Sequence, residues 1–547
     1  MKKALLLFSI VVLFFVSCST TILKPNDGTY ELKIFETTDI HGSLFDIKDG
    51  EVYYSMAYIS DKVNDYRNED SSNVILLDSG DLYQGNSYST LLQGESIAAM
   101  LDVMEYDAVS VGNHEFDWGI ETVVDSDGTI RSYDIVSYEG EGKTPVINSN
   151  IINNDEALFY PYVILEKAAF SKEGSSIPVS VVVIGVADEY SSSIMDSRFR
   201  ALGYVVDSDI KKSEELAETL RREMKCDAVI ALVHSDAEVF AKRLSDDSQF
   251  DIVIGGHSHI FKAGRAKNGI VYIEGGSNAK GYADAMLNFI VEEGQIARVD
   301  VTDASAVEIR DRSVLILNED NTEDFDPRLI ELSNSAIEKN KGFLNEPIGV
   351  IDVSLTKAPI GNNKLSSVLG NFITHYTALA VDAEIGITNN GGLRKEVIVE
   401  DEYTLTVGDI FDICPFGNTI YKYSLTLPEL LPILEYAASG KSSLRLSGID
   451  VYYNEKGVSS LVYQGEKAYE DGIWLNGREN ERTTVAVNNY IATMKDSPFA
   501  RYNDTPWLLE RTRLDNEEIV RVLKEVTSKD ADSIVVDQKP HLIYVKN

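Results

Sequence analysis

From Thr29 to about Ile316, short runs of β-branched and aliphatic residues alternate with longer stretches of mixed polarity. The run from Val181 to Ile184 is typical of a buried strand, and residues 213–225 carry apolar side chains at helical spacing. Because such strands and helices follow each other repeatedly, the pattern predicts a layered α/β domain over residues 29–317.

The pattern changes at residues 318–345. The segment from Asn318 to Asp324 is acidic and has nothing to pack, which is typical of a linker. Asp326 then fits the N-cap of a helix, with Pro327 at the first helical position and apolar spacing to about Lys341. We expect this helix to join two domains.

A second domain is predicted over residues 346–547. It mixes helical segments such as residues 428–438 with strands such as residues 483–487, and no internal repeat is evident. A length of 547 residues agrees with two domains, since single hydrophobic cores stop growing at about 250–300 residues.

The N-terminus reads as an export signal. Two lysines precede an apolar run from Ala4 to Val16, which is too short to span a bilayer comfortably. Cys18 follows Ser17 as in a bacterial lipoprotein cleavage site, so we expect residues 1–18 to hold the signal peptide and the lipid-bearing Cys18. The alternative is an ordinary signal peptide cut a few residues later. Either way the protein is expected outside the cytoplasm, and with lipidation it is anchored to the membrane.

The charge balance limits the classes of partner that the protein can bind. With 50 basic and 88 acidic residues the formal net charge is −38, which argues against nucleic-acid polymers. A phosphate ester would need positive charge concentrated at its site, as bound metals provide. Cys226 and Cys414 lie in hydrophobic neighbourhoods, so we expect buried thiols and no disulfide.

Polar clusters follow five of the strand-like runs and contain five of the seven histidines. They are Asp39-Ile40-His41, Gly80-Asp81, Gly112-Asn113-His114-Glu115, His234 and Gly256-His257-Ser258-His259. Ligands of open α/β sheets bind beyond the carboxyl ends of the strands, so these side chains are expected to converge at one edge of one sheet. A lone histidine is more often a hydrogen-bonded core or surface residue, but five clusters in this pattern predict a metal site.

The residue types indicate two ions. Asp39 and His41 are two residues apart and face the same side of an extended strand end, while the Asp81 carboxylate suits a bridge between two ions. Two dications and two carboxylates leave a charge of about +2 for a phosphoryl group and hydroxide. The imidazole-rich set disfavours calcium and magnesium and suits zinc, manganese, iron or cobalt.

These clusters resemble the calcineurin-like metallophosphatase signature, and the chain from about Tyr30 resembles the bacterial 5′-nucleotidase family, which includes UDP-sugar hydrolases and 2′,3′-cyclic phosphodiesterases. The resemblance implies a four-layer α/β/β/α metallophosphatase sandwich followed by a smaller α/β (α+β) substrate-binding domain. It assigns two sets of metal ligands that share one carboxylate. They are Asp39, His41, Asp81 and His259 for one ion, and Asp81, Asn113, His234 and His257 for the other.

The resemblance also implies a catalytic pair. His114 would stabilise charge on the transferring phosphoryl group, and Asp117 would orient its ring. A carboxylate that holds one ring nitrogen fixes the tautomer and favours the imidazolium. The alternative for Asp117 is a solvated loop carboxylate.

The second domain carries the family's substrate-binding segments. Asn389 and Arg394 bound a run of asparagine and glycine in which Arg394 would bind phosphate, although composition alone would favour a solvated turn. Phe416 and Tyr490 stand where the family brings two aromatic rings around the nucleobase, and Asp496 where it binds ribose. For either ring alone, packing in a core is the plain alternative.

Two segments depart from the family. In the first, the family usually has an arginine and a glutamate before Leu369-Gly370-Asn371, and this chain has Lys364-Leu365-Ser366-Ser367. Because lysine lacks the bidentate fork of arginine, Lys364 replaces that phosphate-binding arginine only in part. Met494-Lys495-Asp496-Ser497 replaces a glycine-rich run.

The sequence therefore predicts an exported dimetal phosphohydrolase that removes phosphate from nucleoside 5′-monophosphates with water activated by the ions. Hydrolysis of 2′,3′-cyclic nucleotides or UDP-sugars is the alternative within the family. A surface-binding lipoprotein without catalysis is the alternative outside it, and the intact ligand set disfavours it. A small nucleotide is the expected partner, and no obligate protein partner is inferred.

Overall fold

A computed structural model describes the chain in separate stretches. They are residues 24–48, 50–67, 71–91, 94–116, 144–153, 156–187, 203–416, 418–440, 443–494, 497–502, 508–529 and 534–546. The predicted signal segment with Cys18, and the residues Asp117 and Asp496, lie outside these stretches.

The N-terminal domain is rich in strands. In chain order these are β1 Gly28–Thr37, β2 Asp46–Lys48, β3 Glu51–Tyr53, β4 Val74–Asp78, β5 Ala108–Ser110, β6 Val146–Ile147, β7 Ile151–Asn153, β8 Glu156–Ala157, β9 Tyr162–Phe170, β10 Ser176–Ala187, β11 Tyr204–Val206, β12 Ala228–His234, β13 Ile252–Gly255, β14 Phe261–Arg265, β15 Val271–Gly275, β16 Gly281–Glu292 and β17 Gln295–Glu308. Its helices are α1 Ser55–Asn64, α2 Ser87–Leu91, α3 Glu95–Met104, α4 Ile210–Met224 and α5 Ala237–Arg243.

Twelve of these strands form one hydrogen-bonded network. Ten of them follow the order β14-β15-β13-β12-β10-β9-β1-β4-β5-β6, while β16 pairs with β1 and β17 pairs with β16. The strand β9 joins β1 through a single register pair, Glu31 with Phe170. The network therefore divides into two sheets at this junction, one from β6 through β1 to β17 and the other from β9 to β14.

Alternation of side chains along the strands separates the layers. Ile34 of β1 and Val183 of β10 lie in the core between the two sheets. Their neighbour Phe35 lies in an outer core with α1 and α3, whereas Val182 lies in another outer core with α4 and α5. Helices thus cover the outer face of each sheet, and the predicted four-layer α/β/β/α sandwich is confirmed.

The second domain has two further five-stranded sheets. Its strands are β18 Pro347–Ile351, β19 Pro359–Ile360, β20 Asn363–Ser367, β21 Ile385–Asn389, β22 Tyr403–Thr406, β23 Thr419–Thr426, β24 Leu444–Ser447, β25 Ile449–Asn454, β26 Gly457–Tyr463, β27 Glu466–Glu470, β28 Ile473–Trp474, β29 Arg482–Asn488, β30 Leu508–Leu514 and β31 Leu542–Tyr544. The sheet orders are β24-β21-β29-β23-β30 and β28-β27-β26-β25-β31. The predicted smaller α/β domain is confirmed.

The helices of this half complete its cores. They are α6 Pro327–Leu344, α7 Val368–Ala380, α8 Val407–Ile413, α9 Leu427–Ala438, α10 Asn489–Thr493 and α11 Asp515–Thr527. The helix α6 begins at Asp326, whose side chain accepts the Arg328 N–H, as the sequence predicts. Its Leu329 packs in the core of the first domain, and its Phe343 contacts Phe411 of the second with ring centroids 5.9 Å apart. This helix therefore links the two domains.

Two further sequence expectations are confirmed. The helix predicted at residues 213–225 is α4, which begins three residues earlier because Asp209 caps it. Cys226 and Cys414 are buried and free. Within the described stretches, no helix combines the length and apolar character needed to cross a membrane.

Candidate metal centre and adjoining substrate site

Parallel strands bring the polar clusters together at their carboxyl ends. The strand β4 is parallel to β1 and β5, and β12 is parallel to β13. The clusters follow in turn, with Asp39 and His41 after β1, Asp81 after β4, Asn113 after β5, His234 at the end of β12, and His257 and His259 after β13. The expectation of one edge of one sheet needs correction, because the clusters come from both packed sheets, whose carboxyl ends meet at the same place.

One group consists of Asp39, His41 and His259. The Nε2 atom of His259 lies 3.1 Å from Asp39 Oδ1 and 3.2 Å from His41 Nε2. The other carboxylate oxygen of Asp39 accepts hydrogen bonds from Thr38 Oγ1 at 2.7 Å and from the His257 N–H at 2.8 Å. These bonds fix the carboxylate so that Oδ1 faces the two imidazoles, which suits three ligands of one ion.

The other group consists of Asp81, Asn113, His234 and His257. His234 Nε2 lies 3.2 Å from both Asp81 Oδ2 and Asn113 Oδ1, and His257 Nδ1 lies 3.3 Å from His234 Nε2. Asp81 also lies close to His41 and His114. Its carboxylate therefore stands between the two groups, where a bridging ligand belongs.

The hydrogen bonds of two rings test whether these groups fit a metal. The Nδ1 atoms of His41 and His234 lie 2.9 Å from the carbonyl oxygens of Gln84 and Ser79, to which Nδ1–H donates. In the neutral tautomer each Nε2 then presents a lone pair. Lone pairs that face carboxylate and amide oxygens at about 3 Å repel each other unless a cation lies between them, so the donor set fits divalent metals.

The site's electrostatics agree with competition between protons and cations. Burial lowers the pKa of His41 to about 4, with His114 and His259 adding to the effect. Burial alone would lower the pKa of His234 too, but Asp81, Asp39 and Glu115 raise it to about 10. Burial would raise the pKa of Asp81, yet the facing histidines hold it well below its ordinary value. The carboxylates thus favour a positive charge at the Nε2 of His234, which a metal can supply in place of a proton.

Backbone strain is concentrated here. Five of the candidate ligands have left-handed backbone conformations that non-glycine residues rarely adopt. They are Asp39, His41, Asp81, His257 and His259, with φ values of 49°, 50°, 58°, 69° and 58°. Each such conformation costs on the order of 1–3 kcal/mol and persists only where the surrounding structure enforces it.

Glu115 provides part of that enforcement, a role that was not predicted from the sequence. Its carboxylate accepts hydrogen bonds from the N–H groups of Gly112, Asp81 and Leu82 at 2.6, 3.0 and 2.7 Å. It therefore ties the loop after β4 to the loop after β5. Gly112 permits this close approach, because a Cβ atom there would overlap Asp81 Oδ1. The position of Glu115 directly after Asn113 and His114 was the only signal in the sequence that it helps to hold the ligand loops.

The second domain reaches the metal centre through Phe416. Its ring stacks on His114 with centroids 5.4 Å apart, and the Arg394 guanidinium lies 5.1 Å from the same ring. The Gln84 amide donates to the Pro415 carbonyl at 2.6 Å. His114 Nε2 in turn lies 4.0 Å from Asp81 Oδ2. The structure thus brings His114, Arg394 and Phe416 together beside the ligand groups.

The remaining predicted substrate residues are placed as follows. Asn389 accepts a hydrogen bond from Asn488 Nδ2 at 3.0 Å on the strand edge near Arg394. Tyr490 is 39% exposed, and its neighbour Asn489 accepts the Thr419 N–H at 3.1 Å, which holds α10 near the segment of Phe416. Among the described residues, no ring contact joins Phe416 and Tyr490. Lys364 is exposed on β20, and its role stays a prediction.

Comparison with known proteins agrees with this architecture. Residues 32–261 match the family model of calcineurin-like phosphoesterases, and residues 347–502 match that of the 5′-nucleotidase C-terminal domain. Over 583 residues the chain is 27% identical to the trifunctional nucleotide phosphoesterase YfkN of Bacillus subtilis, covering 96% of this chain and 37% of that protein's length.

Two other matches extend over most of both chains. The chain is 24% identical to the human 5′-nucleotidase over 475 residues, covering 79% of this chain and 77% of the relative. The crystal structure of a 5′-nucleotidase precursor from Thermus thermophilus matches the fold with a TM-score of 0.64 at 19% identity, covering 95% of this chain and 100% of that chain. The protein therefore belongs to the 5′-nucleotidase family and is a metal-dependent phosphoesterase with a calcineurin-like N-terminal domain.

Proposed function

We propose that the protein is an exported hydrolase that uses two divalent ions to remove phosphate from nucleoside 5′-monophosphates. The observation that carries the proposal is the stack of Phe416 on His114 beside two ligand groups that share Asp81. The Arg394 guanidinium lies over the same Phe416 ring, beside the ligand groups, which supports a phosphate-binding role for Arg394. A substrate with a phosphate at one end and a flat base at the other matches this arrangement.

The ions would polarise the phosphate ester and activate water. The chain's own residues do the rest. The Arg394 guanidinium offers a planar fork for two phosphoryl oxygens, and its position over Phe416 fixes the direction of that fork. His114 presents its ring between Asp81 and Phe416, where an imidazolium stabilises charge that develops on the phosphoryl group.

Tyr490 and Phe416 are proposed to bind the nucleobase. Both lie in segments held beside each other by the bond from the Thr419 N–H to Asn489. The exposed Tyr490 ring leaves a face for stacking, which is worth about 1–3 kcal/mol per base and tolerates any base. Asp496, the proposed ribose ligand, lies outside the described residues.

A phosphate-release assay tests the proposal. The full chain, loaded with manganese or zinc, is given AMP, UMP, UDP-glucose, 2′,3′-cyclic AMP and glycerol phosphate. We expect the highest kcat/KM on AMP and UMP. Preference for UDP-glucose or cyclic AMP would replace the proposal with one of the two alternative activities.

A double variant tests the base site. Replacing Phe416 and Tyr490 by alanine should lower kcat/KM for AMP at least tenfold, which follows from a loss of about 1–3 kcal/mol of stacking per ring. Glycerol phosphate has no base and should lose less, because for it the variant removes only the contacts that Phe416 makes with His114 and Arg394. Equal losses on both substrates would show that neither ring stacks on a base.

Export and lipid anchoring are part of the proposal. They are supported by the apolar run before Cys18, which lies outside the described residues. Cys18→Ser should release the protein from membranes or block its processing, because the thioether to the lipid needs the sulfur. Unchanged partitioning into detergent would indicate an ordinary signal peptide.

A further inference from the structure

Arg445 is a buried cation in the second domain that no predicted role accounts for. It lies on β24 with 6% of its surface exposed, and its aliphatic stem packs against Gly370 of α7. Its Nε atom donates to Ser367 Oγ at 3.4 Å, and its Nη1 donates to the carbonyl oxygens of Ser443 and Leu444 at 3.3 and 3.0 Å. All of these acceptors are neutral.

No carboxylate balances this charge. Among the residues that the structure describes, none presents a carboxylate oxygen within 4.0 Å of the guanidinium, and Nη2 has no acceptor there. Arg478 of the same domain shows the usual arrangement, since its side chain is 11% exposed and pairs with Glu481 at 2.6 Å. Buried arginines are almost always paired, so Arg445 indicates an anion that comes from outside the chain.

The surroundings of Arg445 are also arranged for an anion. Ser443 O accepts from both Arg445 Nη1 and the Asn390 N–H, the latter at 2.8 Å, so Arg445 adjoins the loop that leads to Arg394. The positive end of α7, whose first turn Ser367 caps, lies at the same place.

Two further cations, Lys357 and Arg394, lie between Arg445 and the candidate metal centre. Burial lowers the pKa of Lys357, and the charges of Arg394 and Arg445 lower it further, so Lys357 lies near both arginines. Glu396 opposes this effect on Lys357, and its carboxylate accepts the Lys357 backbone N–H. Burial also lowers the pKa of Arg394, and the Asp81 carboxylate opposes that shift. Positively charged side chains therefore extend from Arg445 past Lys357 and Arg394 towards the ligand groups.

We propose that Arg445 binds phosphoryl oxygens of the substrate, together with Arg394 and the N-terminus of α7. Its guanidinium contacts Ser367, which lies in the segment from Lys364 to Ser367 where the family usually has an arginine and a glutamate. The chain thus supplies from β24 a guanidinium group whose Nη2 is left to donate to an anion beside this segment. The identity of the substrate rests on the proposed function, but the anion site itself does not.

Arg445→Met in the metal-loaded full chain tests this assignment with inorganic phosphate as the probe. Phosphate should bind about ten- to a hundredfold more weakly, measured as the concentration that raises Tm by half its maximum and as the inhibition constant of phosphate. Without phosphate the Tm of the variant should equal or exceed that of the wild type, because an unpaired buried charge is lost. Arg445→Lys should recover part of the phosphate affinity.

Arg478→Met is the matched control, and it should lower Tm but leave phosphate binding unchanged. Wild-type phosphate binding in both Arg445 variants would overturn the assignment. If Arg445→Met does not fold, the same comparison with Arg445→Lys decides, since a loss below threefold would equally contradict a direct contact between the guanidinium and phosphate. Arg445-dependent phosphate binding in a protein that hydrolyses no nucleotide would reject the proposed function alone, and nucleotide hydrolysis without that dependence would reject this inference alone.

Discussion

The imidazole of His114 stacks on the ring of Phe416, with centroids 5.4 Å apart and planes inclined by 29°. The two residues belong to different domains, so the contact joins the metal centre to the substrate-binding half. Gln84 reinforces this contact. Its side-chain amide donates to the Pro415 carbonyl, and its backbone carbonyl accepts from Nδ1 of His41. These contacts therefore connect the second domain to His41, a proposed metal ligand, and to His114, the proposed catalytic residue.

Replacing His114 by alanine should leave both ions bound while kcat falls about 10²–10³-fold, the usual cost of removing one preorganised transition-state donor. The ring lies beside the ligand groups, with Nε2 4.0 Å from Asp81. Metal analysis and single-turnover phosphate release measure the two effects. Loss of one ion would show instead that His114 is a ligand.

Asp81→Ala should abolish activity and remove more metal than any other single ligand change. Its carboxylate faces both groups, with His234 on one side and His41 on the other. Atomic absorption on the purified variant checks this, with Asn113→Ala as the comparison that affects one group only. Two ions retained in Asp81→Ala would contradict the bridging role.

Glu115→Ala should weaken metal binding about 10–100-fold, the usual effect of losing a residue that orients ligands. Three backbone N–H groups, one of them Asp81's own, lose their acceptor, so the loops that carry the ligands are no longer tied together. Titration with zinc against a competing chelator measures the affinity.

Asp107→Asn serves as the control for Glu115. Asp107 is also a partly buried carboxylate that accepts a backbone N–H, that of Leu76, and it pairs with Lys167 at 2.6 Å, away from the ligands. Its variant should lower Tm without changing zinc affinity. A similar loss of affinity in both variants would mean that general instability, not loop positioning, explains the result.

Much of this could be predicted from the sequence because strand ends and helix caps are local features. The runs before His41, Asp81 and His234 are apolar enough to be buried strands, and Asp326 with Pro327 marks the start of α6. The division into two sheets was less accessible, since it depends on the single register pair of Glu31 and Phe170.

The rest of the site depends on contacts between distant residues. Arg445 is 78 residues from Ser367, and Gln84 is 331 residues from Pro415, so no spacing in the chain relates them. The left-handed conformations of Asp39 and His257 could not be predicted either, because this region stays rare even for aspartate and histidine. Such strain is enforced by tertiary structure alone.

The last prediction concerns the C-terminal strand, which His541 fastens to the second domain. Its Nδ1 lies 2.7 Å from Asp450 and its Nε2 lies 3.0 Å from Asp537. Burial alone would lower the pKa of His541, but the two aspartates raise it above the ordinary value. The nearby His375 behaves oppositely, because burial lowers its pKa, and although Asp537 opposes this shift, His541 adds to it. These are the titratable groups that determine the sign of the effect.

A histidine with a raised pKa in the folded state contributes stability that is fully present below its unfolded pKa of about 6.5 and is lost as the pH rises through the folded pKa. His541→Gln should therefore lower Tm by about 2–4 °C below pH 6, from about 1 kcal/mol, since the aspartates are 39% and 36% exposed and partly screened. The difference from the wild type should shrink as the pH rises. For His375→Gln the opposite slope is expected, because the wild type loses the contribution of a neutral buried histidine as the pH falls. Thermal unfolding from pH 5.5 to 9 measures both, and a constant difference for His541→Gln would mean that the ring is held by packing and not by its charge.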